Sequence, residues 1–161
     1  MSGFRRRFST DRQGRVHPNL SVEERELLSA LPDQVLELIS EKDPSTRRLF
    51  PSAYPDDPEA EQEYRALVGE SLLEHHRAAL AAFSESVAAA DTVDEGDLEQ
   101  WMGALEVLRL VLGTKLDVIE DMEAVQADDP RAPGLALYAY LSMLQEEVVA
   151  ALARSLPAGS S

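Results

Sequence analysis

Between Leu98 and Leu116 the chain is apolar on nearly every side of a helix. Leu98, Trp101, Leu105, Leu108, Leu112 and Leu116 recur at steps of three and four, which stacks them on one helical face. Val107, Leu110 and Val111 make the opposite side apolar as well. Such a helix is stable in water only when other elements cover it. The stretch therefore predicts a central helix with the rest of the chain packed around it. Its 161 residues suit one domain, and a chain of that size buries about 70% of its unfolded surface.

The flanking stretches supply the covering elements. Ser21-Val22-Glu23-Glu24 is a capping box, and Leu27, Leu28, Leu31, Val35, Leu38 and Ile39 follow as an inward stripe ending near Glu41. Pro32 lies inside that stripe and predicts a kink or break. Pro44 to Phe50 reads as one short helical turn. Asp57-Pro58 then opens a long helix to about Ala90, with an aspartate to cap and a proline at the first position. Tyr64, Leu67, Val68, Leu72, Leu80, Phe83 and Val87 mark its expected buried stripe, and Gly69 is expected to permit close packing or a slight bend. Thr92-Val93-Asp94-Glu95 reads as a second capping box in front of the central helix. Asp129-Pro130 repeats the cap-and-proline pattern for a last helix to about Ser155, with Leu137, Leu141, Leu144, Val148 and Leu152 inward and Tyr138 and Tyr140 beside them.

At the other end, Phe4 to Phe8 and Arg15 to His17 flank the turn residues Asp11-Arg12-Gln13-Gly14, which suggests a hairpin. The expected fold is thus mainly α. It is a compact bundle of about four to five helices in an acidic domain over 19–156, behind a basic N-terminal β-hairpin or arm over 1–18, with a frayed tail over 157–161. Trp101, Leu105, Leu108, Arg109, Leu112, Tyr138 and Leu141 are its expected structural core.

Charge is divided unevenly. The first twenty residues hold five arginines against one aspartate, a net +4, which leaves −19 for residues 21–161 of the chain's −15. A body this acidic repels nucleic acid and anionic membrane at long range and favours a basic protein partner or simple solubility. The arginines Arg5, Arg6 and Arg7 either clamp phosphates or an acidic partner, or neutralise the acidic body. No apolar run approaches the roughly 20 residues of a membrane span, and no apolar signal core follows the N-terminal arginines, so a cytoplasmic protein is expected.

Catalytic chemistry finds little to use. There is no cysteine, which excludes disulfides, thiolate catalysis and thiolate zinc sites in this chain. His75 and His76 are adjacent on a helix, so they point about 100° apart and do not share one site. His76 falls on the apolar stripe and reads as a half-buried structural histidine. The acidic run from Glu120 to Asp129 lacks the alternating ligands and central glycine of a calcium loop, and is expected to be a mobile, solvated linker. Arg109 lies at the edge of the central stripe and needs a partner there, for which Asp57, Asp128 and Asp129 are candidates. There is no glycine-rich phosphate loop, nucleophile elbow or basic recognition helix. No enzyme activity, cofactor or metal is expected.

One set of segments carries a resemblance. These are Phe4-Arg5-Arg6-Arg7, Leu49-Phe50-Pro51-Ser52-Ala53-Tyr54 with Asp56-Asp57-Pro58-Glu59, the Trp101…Leu105…Leu108-Arg109-Leu110-Val111-Leu112-Gly113-Thr114 helix, and Asp129-Pro130-Arg131 followed by Leu137-Tyr138 and Leu144-Gln145-Glu146. In that order they resemble the AosR-like family of actinobacteria, long catalogued as a domain of unknown function. The resemblance spans nearly the whole chain. It implies a mostly helical, cytoplasmic oxidative-stress transcription regulator acting with RNA polymerase sigma factors, encoded near a Clp protease adaptor. One feature departs from it: redox response in that family is tied to a cysteine pair, which this chain lacks. The expectation is a non-enzymatic regulator that binds a protein partner, a sigma factor or the polymerase. The alternatives are DNA binding through the N-terminal arginines and a Clp-linked adaptor.

Overall fold

The structure, a computed structural model, describes residues 7–117 and 128–155. The sequence readings of Phe4, Arg5 and Arg6, of the linker over 118–127 and of the tail over 157–161 lie outside the described residues. The described elements are β1 (Phe8–Thr10), β2 (Val16–Pro18), α1 (Val22–Ser40), a 3-10 helix (Pro44–Leu49), α2 (Pro58–Ala89), α3 (Glu95–Lys115) and α4 (Ala132–Ser155). The fold is mainly α with a two-stranded antiparallel hairpin, as the periodicities predict.

α3 is the central helix. It packs against α4, α2, the 3-10 helix and α1. Leu98, Trp101, Ala104, Leu105, Val107, Leu108 and Val111 are all buried, on more than one side of the helix. Trp101 is completely enclosed, edge-to-face with Phe83 of α2 at 5.4 Å and with Phe8 of β1 at 5.8 Å. Its indole N–H donates to Ser86 Oγ at 2.6 Å, so the one polar atom of the ring is satisfied inside the core. Leu141 is buried with Leu144 and Val148 on α4, while Leu112 and Tyr138 are half-buried at the core's edge.

The hairpin belongs to this core. Strand pairing runs Phe8↔Pro18, Ser9↔His17 and Thr10↔Val16, so β1 starts at Phe8, where the sequence reading has its first strand end. Asp11 closes the turn: its carboxylate accepts from the N–H groups of Gln13 and Arg15, and Gly14 takes a φ of 81° that suits glycine. Phe8 and Val16 are buried, and Val16 bridges to Val93 just ahead of α3.

Three local expectations are corrected. α1 runs unbroken through Pro32, which is itself buried. Proline crowds the preceding turn and removes a donor. The carbonyl that loses its donor is that of Leu28. The buried Leu28, Val35 and Ile39 hold the helix to the core on both sides of the proline, and the Ser84 hydroxyl of α2 also donates to the neighbouring Ser29 carbonyl at 2.9 Å. The cap of α3 is Asp94, with Asp97 as its reciprocal partner, so the box lies two residues beyond Thr92. A carboxylate at either position of the box accepts the same bonds, and the sequence offers both registers. On α2, a β-carbon added at Gly69 meets nothing within 4 Å, so close packing does not explain this glycine.

The apolar stripe of α2 is buried over only part of its length. Leu80, Phe83 and Val87 are fully enclosed, but no residue from Pro58 to Ala79 is. Tyr64, Val68 and Leu72 are half-buried, and Leu67 is 82% exposed. The helix is about 48 Å long at 1.5 Å per residue, longer than the core it serves. α4 also departs from expectation. By length and composition it is apolar enough to cross a membrane, with a mean hydropathy of 1.3. Leu141, Leu144, Val148 and Ala151 face the core, and 22% of the apolar window is buried.

Removing the Phe8 ring tests whether the hairpin is part of the domain. Phe8→Ala is expected to cost about 3–5 kcal/mol, the range for a buried aromatic, when measured by urea unfolding. A loose arm would leave the midpoint unchanged.

Candidate functional site

Of the arginines Arg5, Arg6 and Arg7, the last is described, and it lies against the body of the protein. Its Nε donates to Glu24 Oε2 of α1 at 2.8 Å, and its terminal nitrogen reaches Glu147 Oε2 of α4 at 3.4 Å. The guanidinium also stands 5.6 Å from the centre of the Tyr140 ring. The Tyr140 hydroxyl donates to the same Glu24 oxygen at 2.6 Å. The cluster ties the start of the hairpin to two helices that have little other contact with each other. Here Arg7 serves internal neutralisation, the second of the two roles read from the sequence.

Each member of the cluster shifts the others. Burial opposes ionisation of Glu24, but the hydrogen bonds from Tyr140, Arg7 and the Ser21 backbone outweigh it and hold the carboxyl below its usual range. Burial, then the bond to Glu24, pushes the Tyr140 phenol well above its usual range. The bond to Glu24 raises Arg7, which stays cationic. The partners of Arg7 were not legible because Glu24 already has a local role in the capping box, where its other oxygen accepts from Ser21 N–H.

Arg109 lies on the seam between α3 and α4, and its partners correct the expectation. Nε donates to Ser142 Oγ at 2.9 Å and the terminal nitrogens to Gln145 Oε1 at 2.5 Å and Tyr138 OH at 3.5 Å. The Tyr138 ring lies beneath the guanidinium at 5.4 Å. Its carboxylate neighbour is Glu106, one turn away on its own helix, at 3.4 Å. Asp57 instead caps α2, and Asp129 pairs with Arg131 at 3.2 Å. Arg109 keeps enough water contact that neutral acceptors and a ring face suffice. Two other arginines act as clamps on main-chain carbonyls. Arg25 donates to Val87 and Pro18, and Arg154 to Phe8.

The remaining candidates resolve as structure. His76 is half-buried, with Nε2 at 3.0 Å from the Leu49 carbonyl, while His75 is exposed. Among the described residues, no group of three or more His, Asp or Glu side chains is arranged to hold a metal ion.

The outer face of α2 is the surface that sequence reasoning missed, since it assigned Leu67 to the core. Glu63, Leu67 and Glu74 share that face at helical spacing, all exposed. A large apolar side chain thus stands between two exposed glutamates, of which Glu74 lies 3.7 Å from Arg77 on the same helix.

Glu24 supplies a pH test. Its native pKa lies below the usual value of 4.5, so its contribution is present above about pH 4.5 and is lost as pH falls through the native pKa. Glu24→Gln is expected to cost about 1 kcal/mol at pH 7 by chemical denaturation, with the gap to wild type closing in acid.

No curated protein and no solved structure matches the chain. One family model does, over residues 1–152, which takes in the hairpin, the helices up to the last turn of α4, and the cluster around Arg7. The chain belongs to the family described as a domain of unknown function, DUF2017.

Proposed function

We propose that this chain is a non-enzymatic regulatory protein that works by binding another protein through the outer face of α2. The observation that carries this reading is Leu67, 82% exposed in the middle of an ordered helix. Isolated exposed leucines are common, but this one sits on a helix that projects past the core and is flanked by Glu63 and Glu74. That pattern fits a partner with an apolar pocket ringed by lysine and arginine, read as helix in groove. The excess of acidic residues over residues 21–161 supports the same kind of partner and would speed its approach.

The resemblance to the AosR-like regulators supports a finer reading: a stress-response transcription regulator whose partner is a sigma factor or RNA polymerase. Because the chain has no cysteine, any stress signal reaches it by a route other than thiol oxidation. Arg7 is engaged with Glu24 and Glu147, which disfavours a DNA-binding role for that residue.

The test is affinity capture from native lysate with nuclease present, read by mass spectrometry, for wild type and Leu67→Glu. Sigma factor or polymerase subunits are expected with wild type and at about a tenfold lower level with the variant, the loss of one interface anchor. The thermal midpoint is expected to be unchanged. Loss of those subunits on nuclease treatment would overturn the reading in favour of DNA binding.

A further inference from the structure

The opposite side of α2 borders an open cleft of about 730 Å³. It lies between the end of α1, the 3-10 helix and the projecting half of α2. Its apolar walls are Ile39, Pro44, Phe50 and Leu73, and Gly69 stands between them on α2. This volume is typical of sites for small organic ligands, which combine apolar walls with a few polar groups.

Gly69 is the telling residue. It lies inside a 32-residue helix, where glycine is a poor choice, and its φ is not positive. An added β-carbon would meet nothing within 4 Å. Neither backbone conformation nor packing calls for it. What a larger residue would do is fill the cleft.

The charges at the rim indicate the ligand. Arg47 and Lys42 line the cleft and form no ion pair among the described residues. Arg65 is fixed across one edge, with Nε on Glu61 at 2.6 Å and a terminal nitrogen on the Phe50 carbonyl at 3.0 Å. Two carboxylates also line the cleft. Asp43 is turned to the 3-10 helix, accepting from Ser45 N–H at 2.9 Å and Ser45 Oγ at 2.6 Å, and Lys115 lies near enough to lower its pKa. Glu70 stands at the α2 edge without a partner among the described residues. Among the described residues Lys42 and Arg47 are thus without an ion pair, as are the carboxylates of Asp43 and Glu70. With Arg65 the lining holds three cations against two carboxylates, on a chain whose net charge is −15.

We propose that this cleft binds a small amphipathic anion, an alkyl or aryl carboxylate or sulfonate, with its apolar body against Phe50, Leu73 and Gly69 and its charge toward Arg47 and Lys42. The site is separate from the acidic outer face of α2, so either assignment stands if the other fails.

The experiment is fluorescence titration of the folded protein with two probes, anilinonaphthalene sulfonate and the neutral phenylnaphthylamine. Wild type is expected to bind the sulfonate at one saturable site, at least about fivefold tighter than the neutral probe. Gly69→Leu is expected to weaken binding of both by at least about tenfold while melting no lower than wild type, since leucine is the better helix former. Arg47→Gln, an exposed substitution, is expected to remove the preference for the sulfonate and leave the neutral probe unaffected. No saturable binding by wild type, equal affinity for the two probes, or undiminished binding by Gly69→Leu would each overturn the proposal.

Discussion

Trp101 is the pivot of the molecule. Its ring sits between Phe83 and Phe8 in two edge-to-face contacts, and those rings come from the carboxyl half of the longest helix and from the first strand. One side chain of α3 thereby joins two elements far apart in the sequence, β1 and the carboxyl half of α2. The remaining core follows from the same helix: α4 closes one side through Leu141, Leu144 and Val148, and α1 closes another through Leu28, Val35 and Ile39. Burial on several faces fixes the orientation of each neighbour, because a rotation of any one of them would expose apolar surface.

Arginine works differently on this acidic chain than its distribution in the sequence suggests. Arg7, Arg25, Arg109 and Arg154 each reach from one element to another, through carboxylates, main-chain carbonyls, neutral side chains or a tyrosine ring. The guanidinium suits these seams because it carries several donors in a fixed plane and stacks on aromatic faces. An ammonium would satisfy fewer of them. Thirteen arginines against two lysines therefore has a structural use here.

Period and capping chemistry made the helices legible. The box Ser21–Glu24 and the Asp57-Pro58 start are both observed where the residues place them, and the central position of α3 follows from its all-round apolarity. The errors have common causes. Grouping Leu67 with the stripe overlooks its phase: it lies about 140° round the helix from Leu80 and about 160° from Phe83, so it is turned away from the core, and the structure leaves it exposed. Long-range polar partners were illegible for Arg109 because any of several acids would have served, and the protein uses Ser142 and Gln145 instead. Gly69 gave a signal, a glycine inside a helix, whose meaning depended on the empty space beside it.

α2 has a mechanical consequence. Its enclosed residues begin at Leu80, and Pro58 lies about 33 Å from that point along the helix axis. Glu61 holds the N–H groups of Ala53 and Tyr54, and Arg65 holds Phe50, so the proline-rich connection travels with the helix. Enclosed side chains hold the helix from Leu80 onward, and the part before it is held by polar bonds to the chain around the 3-10 helix, from His76 to the Leu49 carbonyl and from Arg65 to the Phe50 carbonyl. A tilt of about 5° around Leu80 would carry the far end by about 3 Å, so those few bonds, rather than the aromatic contacts at Trp101, set the width of the gap to the 3-10 helix.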